Sequence, residues 1–266
     1  MSQSGSSDAA YVIATGAAAV ERLELLAEVF APVTTQFLAR LLPARSFLDV
    51  GCGLAPVADQ VRALGTERVI AVDINPEVID AARARTGLEC VIASVDDLGH
   101  GSLTGFDVVY ARCLLSHLSD PAAALERMMS AAIPGGVVAV EEVQVSRVWS
   151  APVFPALSRY SDLYVKAALA RGACPELAPL LPGLMREAGL VDVETTVLLP
   201  KLSTARTRTI HAATMHSIGP AVMEAGLCEQ EEVDELTAAL LHAASSETWE
   251  VTLPLVAQVS GRIPNQ

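Results

Sequence analysis

Phe47-Leu48-Asp49-Val50-Gly51-Cys52-Gly53-Leu54-Ala55 is a short apolar run that carries one acid, followed by two glycines in alternate positions. A helical pattern starts beyond it, near Pro56. Glycine suits such a turn because the backbone must bend sharply and approach a ligand closely, which a Cβ atom would obstruct. The helix that follows offers unpaired N–H groups at its N-terminus. Two cofactor classes use a turn of this kind. The dinucleotide fingerprint G-x-G-x-x-G needs a third glycine, and counting from Gly51 that position is Pro56. Asp49 instead lies two residues before the first glycine, where a carboxylate receives the ammonium of an amino-acid-like ligand.

The later segments keep the same theme. Arg68-Val69-Ile70-Ala71-Val72 ends in Asp73, and an acid at the end of the second strand accepts both hydroxyls of a ribose. Cys90-Val91-Ile92-Ala93 leads to Ser94-Val95-Asp96-Asp97-Leu98, and Gly105-Phe106-Asp107-Val108-Val109-Tyr110-Ala111-Arg112 to Leu114-Leu115-Ser116-His117-Leu118-Ser119-Asp120-Pro121. Pro134-Gly135-Gly136-Val137-Val138 and Glu141-Glu142 complete the series.

In this order the landmarks resemble those of the class I S-adenosylmethionine-dependent methyltransferases that act on small molecules. The D-x-G-x-G at Asp49–Gly53 is similar to that family's first motif, with Ala55 where a third glycine is usual. Alanine is the smallest substitute, so a slightly crowded site is expected. The resemblance implies an α/β fold, a Rossmann-like, doubly wound and mostly parallel seven-stranded sheet with an antiparallel final strand and helical lid insertions. It also implies S-adenosyl-L-methionine as cofactor, held by Tyr11, Arg22, Asp49, Gly51, Cys52, Gly53, Asp73, Ile74, Ser94, Val95, Ala111 and Arg112. Relatives often carry aspartate at the place of Ser94, which leaves the backbone N–H of Val95 to meet the adenine. Tyr11 and Arg22 match positions that close on the cofactor's carboxylate; a packing tyrosine and a solvated arginine are the plain alternatives.

The chain's 266 residues, 52% of them hydrophobic, suffice for one large core and a small cap. A net charge of −13 without a long basic run disfavours nucleic acid, whose phosphates need clustered Lys and Arg. Five scattered cysteines suggest reduced thiols and no metal site. With no signal pattern and no long apolar span, the expectation is a cytoplasmic protein without a membrane partner, acting on a small molecule in natural product biosynthesis; a homodimer is left open.

Four regions follow from the patterning. Residues 1–45 form an N-terminal helical lid, with Val20, Leu23, Ala27 and Phe30 on one helix face, a break at Pro32 and a second helix over 33–42. Residues 46–145 form the cofactor-binding core, with alternating strands and helices and Pro134-Gly135-Gly136 as the turn into its fifth strand. Residues 146–186 form a helical cap holding Trp149, Phe154, Tyr160 and Tyr164, four of the chain's 11 aromatic residues. They either cover an apolar substrate or pack the insertion. Residues 187–266 return to the sheet around a second helical insertion, the last strand covering 248–259 with Pro254 at a bulge or edge.

Methyl transfer from a sulfonium is an in-line displacement in which positioning does much of the work. A base helps when the acceptor is a hydroxyl. His117, after the fourth strand, and Glu142, at the end of the fifth, are the catalytic candidates. A structural hydrogen-bonding role for His117, and pairing of Glu142 with Arg112, are the alternatives. His211 and His216 are weaker candidates, and Lys201, Arg206 and Arg208 either recognise a substrate carboxylate or form a solvated face. The function read from the sequence is methyl transfer to a small, fairly apolar metabolite, at oxygen. The alternative is a protein that binds the cofactor without transferring methyl, as a cyclase or a sensor.

Overall fold

The computed structural model describes residues 17–265; Tyr11 lies outside them. In chain order the elements are α1 (Ala17–Leu41), β1 (Ser46–Val50), α2 (Pro56–Ala63), β2 (Arg68–Asp73), α3 (Pro76–Thr86), β3 (Glu89–Ile92), β4 (Phe106–Arg112), α4 (Pro121–Ala131) and β5 (Ala132–Gln144). They continue with β6 (Ser150–Ala151), α5 (Pro155–Ala170), α6 (Leu181–Glu187), β7 (Val191–Leu198), α7 (Ala205–Arg208), α8 (Ile210–Glu224), α9 (Gln230–Ala244), β8 (Glu250–Val251) and β9 (Leu255–Arg262). Single 3-10 turns follow β3, at Val95–Asp97, and β4, at Leu115–His117.

Seven strands form one sheet in the order β3-β2-β1-β4-β5-β9-β7. Every pairing is parallel except the two that β9 makes with β5 and β7. All five residues of β1 are buried, Ser46 and Asp49 included, as expected of a strand covered on both faces. One face packs Phe37 and Leu38 of α1 and Val61 and Ile79 of α2 and α3 against Phe47 and Tyr110. The other packs Leu125 and Met128 of α4 and Leu181 and Met185 of α6 against Leu48, Val109 and Val259. A third cluster joins the first half of α1 to α5, α8 and α9. It lies over the carboxyl ends of the parallel strands, where ligands bind in such sheets.

Four expectations change. Pro32 does not end a helix: α1 runs through it to Leu41. Pro32 and Glu28, whose carbonyl loses its amide partner to the proline, are both exposed. Pro134-Gly135-Gly136 lies inside β5, where the pairing with β4 jumps from Phe106↔Ala132 to Val108↔Val137. The segment 248–259 divides. β8 pairs with β6 in a separate two-stranded ribbon, and Pro254 is the residue before β9. The last helix of the expected cap, α6, packs on the sheet and not over the site.

Candidate active site

Each part of the turn after β1 has a steric or hydrogen-bonding cause. Gly51 and Gly53 have φ of +67° and +54°, and a Cβ on Gly51 would sit 2.9 Å from Leu114 Cδ1. Ala55 is left-handed too, at φ 55°, and fully buried. The methyl at the third position therefore costs backbone strain, about 1–2 kcal/mol, and does not crowd the site as the sequence suggested. Cys52 N–H donates to the Val72 carbonyl at 2.9 Å. Asp73 closes the turn from β2: Oδ2 accepts Gly53 N–H at 3.0 Å and Oδ1 accepts Asn75 N–H at 3.0 Å. Asn75 then caps α3 by accepting from Glu77 and Val78. On the adenine side expected from sequence, Ser94 and Asp97 form a reciprocal capping box around Val95.

One cavity of about 820 Å³ opens at this end of the sheet. Arg22, Asp49, Gly51, Cys52, Gly53, Asp73, Ile74, Ser94, Val95, Arg112 and His117 all line it. Arg22 is only 6% exposed and its Nε–H has no partner, so it is no solvated charge but a buried cation on the cavity wall. Asp49 is 2% exposed and accepts Ala58 N–H at 3.2 Å. Burial raises its pKa to about 7 against the pull of the nearby Arg112 guanidinium. Burial, with Arg22 close by, lowers His117 to about 4, which keeps its imidazole neutral in ordinary buffers.

Two site candidates are not on the cavity wall. Ala111 is fully buried within β4. Glu142 is fully buried as well, and its Oε1 accepts the N–H groups of Leu114, Leu115 and Ser116 at 2.9, 2.7 and 3.3 Å. It anchors the loop that carries His117 and does not face the crevice. Nor does it pair with Arg112, which donates to Thr34 Oγ1 at 3.2 Å. Thr34 in turn donates to Glu141 at 2.7 Å, and Tyr110 and Gln258 also donate to that carboxylate. This buried network behind Arg112 had no signature in the sequence, because its members are far apart in the chain.

The insertions divide in the same way. His211 lines the cavity and His216 is exposed. Lys201 pairs with Glu250, Arg206 with Glu28, and Arg208 donates to the Ala244 carbonyl, all away from the cavity wall. Tyr160 and Tyr164 face the cavity, whereas Phe154 packs edge-on against Trp249 and Trp149 is 47% exposed. Phe154 therefore packs the insertion, Tyr160 and Tyr164 stand where a ligand would meet them, and the largely exposed Trp149 does neither. Thr214, Ser217 and Ala221 also line the cavity; they follow His211 at helical spacing, a pattern that would have found them.

Residues 48–140 match the family model described as a methyltransferase domain. Residues 48–140 thus carry a methyltransferase domain, on the class I, S-adenosylmethionine-dependent fold. Over 112 residues the chain is 34% identical to a ubiquinone biosynthesis O-methyltransferase of Xanthomonas axonopodis pv. citri, a match covering 40% of this chain and 46% of that protein. A protein of the same name from Xanthomonas oryzae pv. oryzae is 32% identical over 141 residues, 50% of this chain and 56% of that one. The chain thus spans about half the length of these curated relatives. Two solved structures illustrate the shared fold. One is a phosphoethanolamine N-methyltransferase of Haemonchus contortus, with TM-score 0.56, 16% identity, and coverage of 92% of this chain and 58% of that one. The other is the N-methyltransferase NodS of Bradyrhizobium japonicum, with TM-score 0.53, 13% identity, and coverage of 89% and 88%.

The cofactor of this domain class is S-adenosylmethionine, and the cavity fits it. The orphaned Arg22 N–H suits a carboxylate, Asp49 an ammonium, and each Asp73 oxygen keeps a lone pair for a ribose hydroxyl. Among the described residues, no helix is long and apolar enough to cross a membrane.

The raised pKa of Asp49 gives the site a pH signature. Below about pH 7 the empty site holds a proton on Asp49, and an arriving ammonium favours the carboxylate. Binding of S-adenosylhomocysteine is therefore expected to release about half a proton at pH 7. Affinity rises with pH until Asp49 is ionised and then levels. Calorimetry at pH 7 in buffers of different ionisation enthalpy measures this release; an enthalpy independent of buffer contradicts it, and Asp49→Asn removes the release.

Proposed function

We propose that the protein transfers a methyl group from S-adenosylmethionine to a hydroxyl of a small, fairly apolar molecule. The observation that carries this reading is the continuity of the cavity. It runs from the glycine turn and Asp73 to a second wall built from Phe30, Val143, Tyr160, Tyr164 and Leu253. At about 820 Å³ it lies toward the upper end of the roughly 300–1,000 Å³ usual for small-molecule sites, which suits a cofactor and an acceptor side by side.

The bound cofactor supplies an activated methyl group. The residues of this chain do the rest: Asp49, Arg22 and Asp73 fix its polar ends, and the aromatic wall excludes water and holds the acceptor in line. The names of the curated relatives favour oxygen as the acceptor atom and favour transfer over use of the cofactor without transfer. Placement of the protein in the cytoplasm and in natural product biosynthesis is part of the same proposal.

Parallel calorimetric titrations with S-adenosylmethionine, S-adenosylhomocysteine and NAD test the cofactor assignment. Micromolar binding of the first two and none of NAD is expected. Labelled methyl from S-adenosylmethionine is then expected in phenolic acceptors, and turnover that leaves the cofactor unconsumed would overturn the transfer reading.

A further inference from the structure

His211 is the second residue of α8 and is 2% exposed, with its ring on the wall of the cavity. Its Nε2 lies 3.0 Å from the Thr252 carbonyl oxygen. A carbonyl only accepts, so Nε2 carries the proton and the neutral ring keeps its lone pair on Nδ1. The carbonyl is itself held firmly: the Thr252 N–H donates to the Trp149 carbonyl at 3.0 Å, and its hydroxyl accepts the Trp149 N–H at 3.2 Å. Tyr160 stands edge-on to the imidazole, with ring centroids 5.7 Å apart. One turn along α8, Thr214 hydrogen-bonds Tyr160. The Thr252 carbonyl, which is not part of the cavity lining, thus fixes the tautomer, and Tyr160 and Thr214, which share the wall with His211, fix the plane of the ring.

We propose that His211 is the catalytic base for this site, accepting at Nδ1 the hydroxyl of a phenol-like acceptor whose apolar body rests against Tyr160 and Leu253. This rests on the methyl-transfer reading above. In the step, the acceptor O–H bond breaks and its proton passes to Nδ1. The oxygen's electron pair forms the bond to the methyl carbon, and the carbon–sulfur bond breaks with its pair left on sulfur. The imidazolium later gives its proton to water. One positive charge occupies the cavity before and after, first on sulfur and then on the imidazolium. Burial lowers the His211 pKa to about 4, which keeps the ring a free base before the acceptor arrives and does not oppose a transfer that adds no net charge.

The test uses 2-naphthol and its methyl ether, 2-methoxynaphthalene, as probes of the full chain. The wild-type protein is expected to bind the naphthol about tenfold more tightly than the ether, the worth of one hydrogen bond. His211→Gln keeps an N–H for the Thr252 carbonyl but has no base at the Nδ1 position. It is expected to bind both probes alike and to methylate naphthol with kcat lowered by about 10²–10⁴-fold, with KM changed less than about threefold. His211→Asn, which keeps a polar group near Nδ1, is expected to retain hydroxyl preference and still lose kcat. Full discrimination and kcat in His211→Gln overturn the proposal, as does a wild-type protein that ignores the hydroxyl or binds neither probe. S-adenosylhomocysteine titrated alongside separates the two claims: failure of the wild type to bind it sinks methyl transfer, whereas the naphthol pair judges His211 by itself.

Discussion

Glu141→Ala is expected to remove about 3–5 kcal/mol of stability, the usual cost of breaking a buried charge network from one side. The carboxylate is fully buried and accepts from Tyr110 Oη, from Thr34 Oγ1 at 2.7 Å and from Gln258 Nε2 at 2.7 Å. Alanine leaves those donors unanswered and takes a negative charge away from Arg112, which reaches the group through Thr34. Domains of this kind are stable by roughly 5–15 kcal/mol, so the loss is a large fraction of the whole. Glu141→Gln, which keeps the shape but loses one acceptor, is expected to cost about 1–2 kcal/mol. Urea unfolding of the three proteins measures the order, and a midpoint unchanged in the alanine variant would show that the network contributes nothing.

Asp73→Ala is the variant expected to damage cofactor binding most. Its two oxygens each accept one backbone N–H, from Gly53 and Asn75, and each retains a lone pair for a ribose hydroxyl. Hydrogen bonds to a charged acceptor contribute about 1.5–3 kcal/mol each, so losing two predicts at least a hundredfold weaker binding of S-adenosylhomocysteine. The glycine turn also loses its tie to β2, which adds to the deficit. Calorimetry reads the affinity directly. A variant that binds within threefold of wild type would remove the ribose from this end of the sheet, and with it the orientation assigned to the cofactor.

The sheet was legible in the sequence because its signals are local. A strand buried on both faces is an apolar run, and a turn that needs positive φ selects glycine; Phe47–Gly53 shows both. Glu141 and Glu142 show where local reading stops. They are neighbours of identical chemistry on β5, and strand alternation sends them to opposite sides of the sheet. Glu141 meets Thr34 of α1, while Glu142 meets the loop at Leu114–Ser116. Nothing in the pair of letters tells which neighbour each one finds. Pro32 misled for a related reason, since a helix survives an interior proline when the freed carbonyl is at the surface. Arg206 and Arg208 are open to a carboxylate-binding or a solvated-face reading in the sequence, and only the fold brings Glu28 and the Ala244 carbonyl, both distant in sequence, beside them.

The antiparallel strand β9 has a temporal consequence. β7 sits at the rim of the sheet and pairs only with β9 among the described residues, yet it leaves the ribosome well before β9, with α7, α8 and α9 made in between. At about 5–20 residues per second, β7 waits roughly three to eleven seconds without a ladder partner. During synthesis the parallel block β1–β5 is free to assemble first. The part of the cavity wall that needs α8 and Leu253 is made long after the glycine turn, so a nascent chain has that turn before the cavity is enclosed.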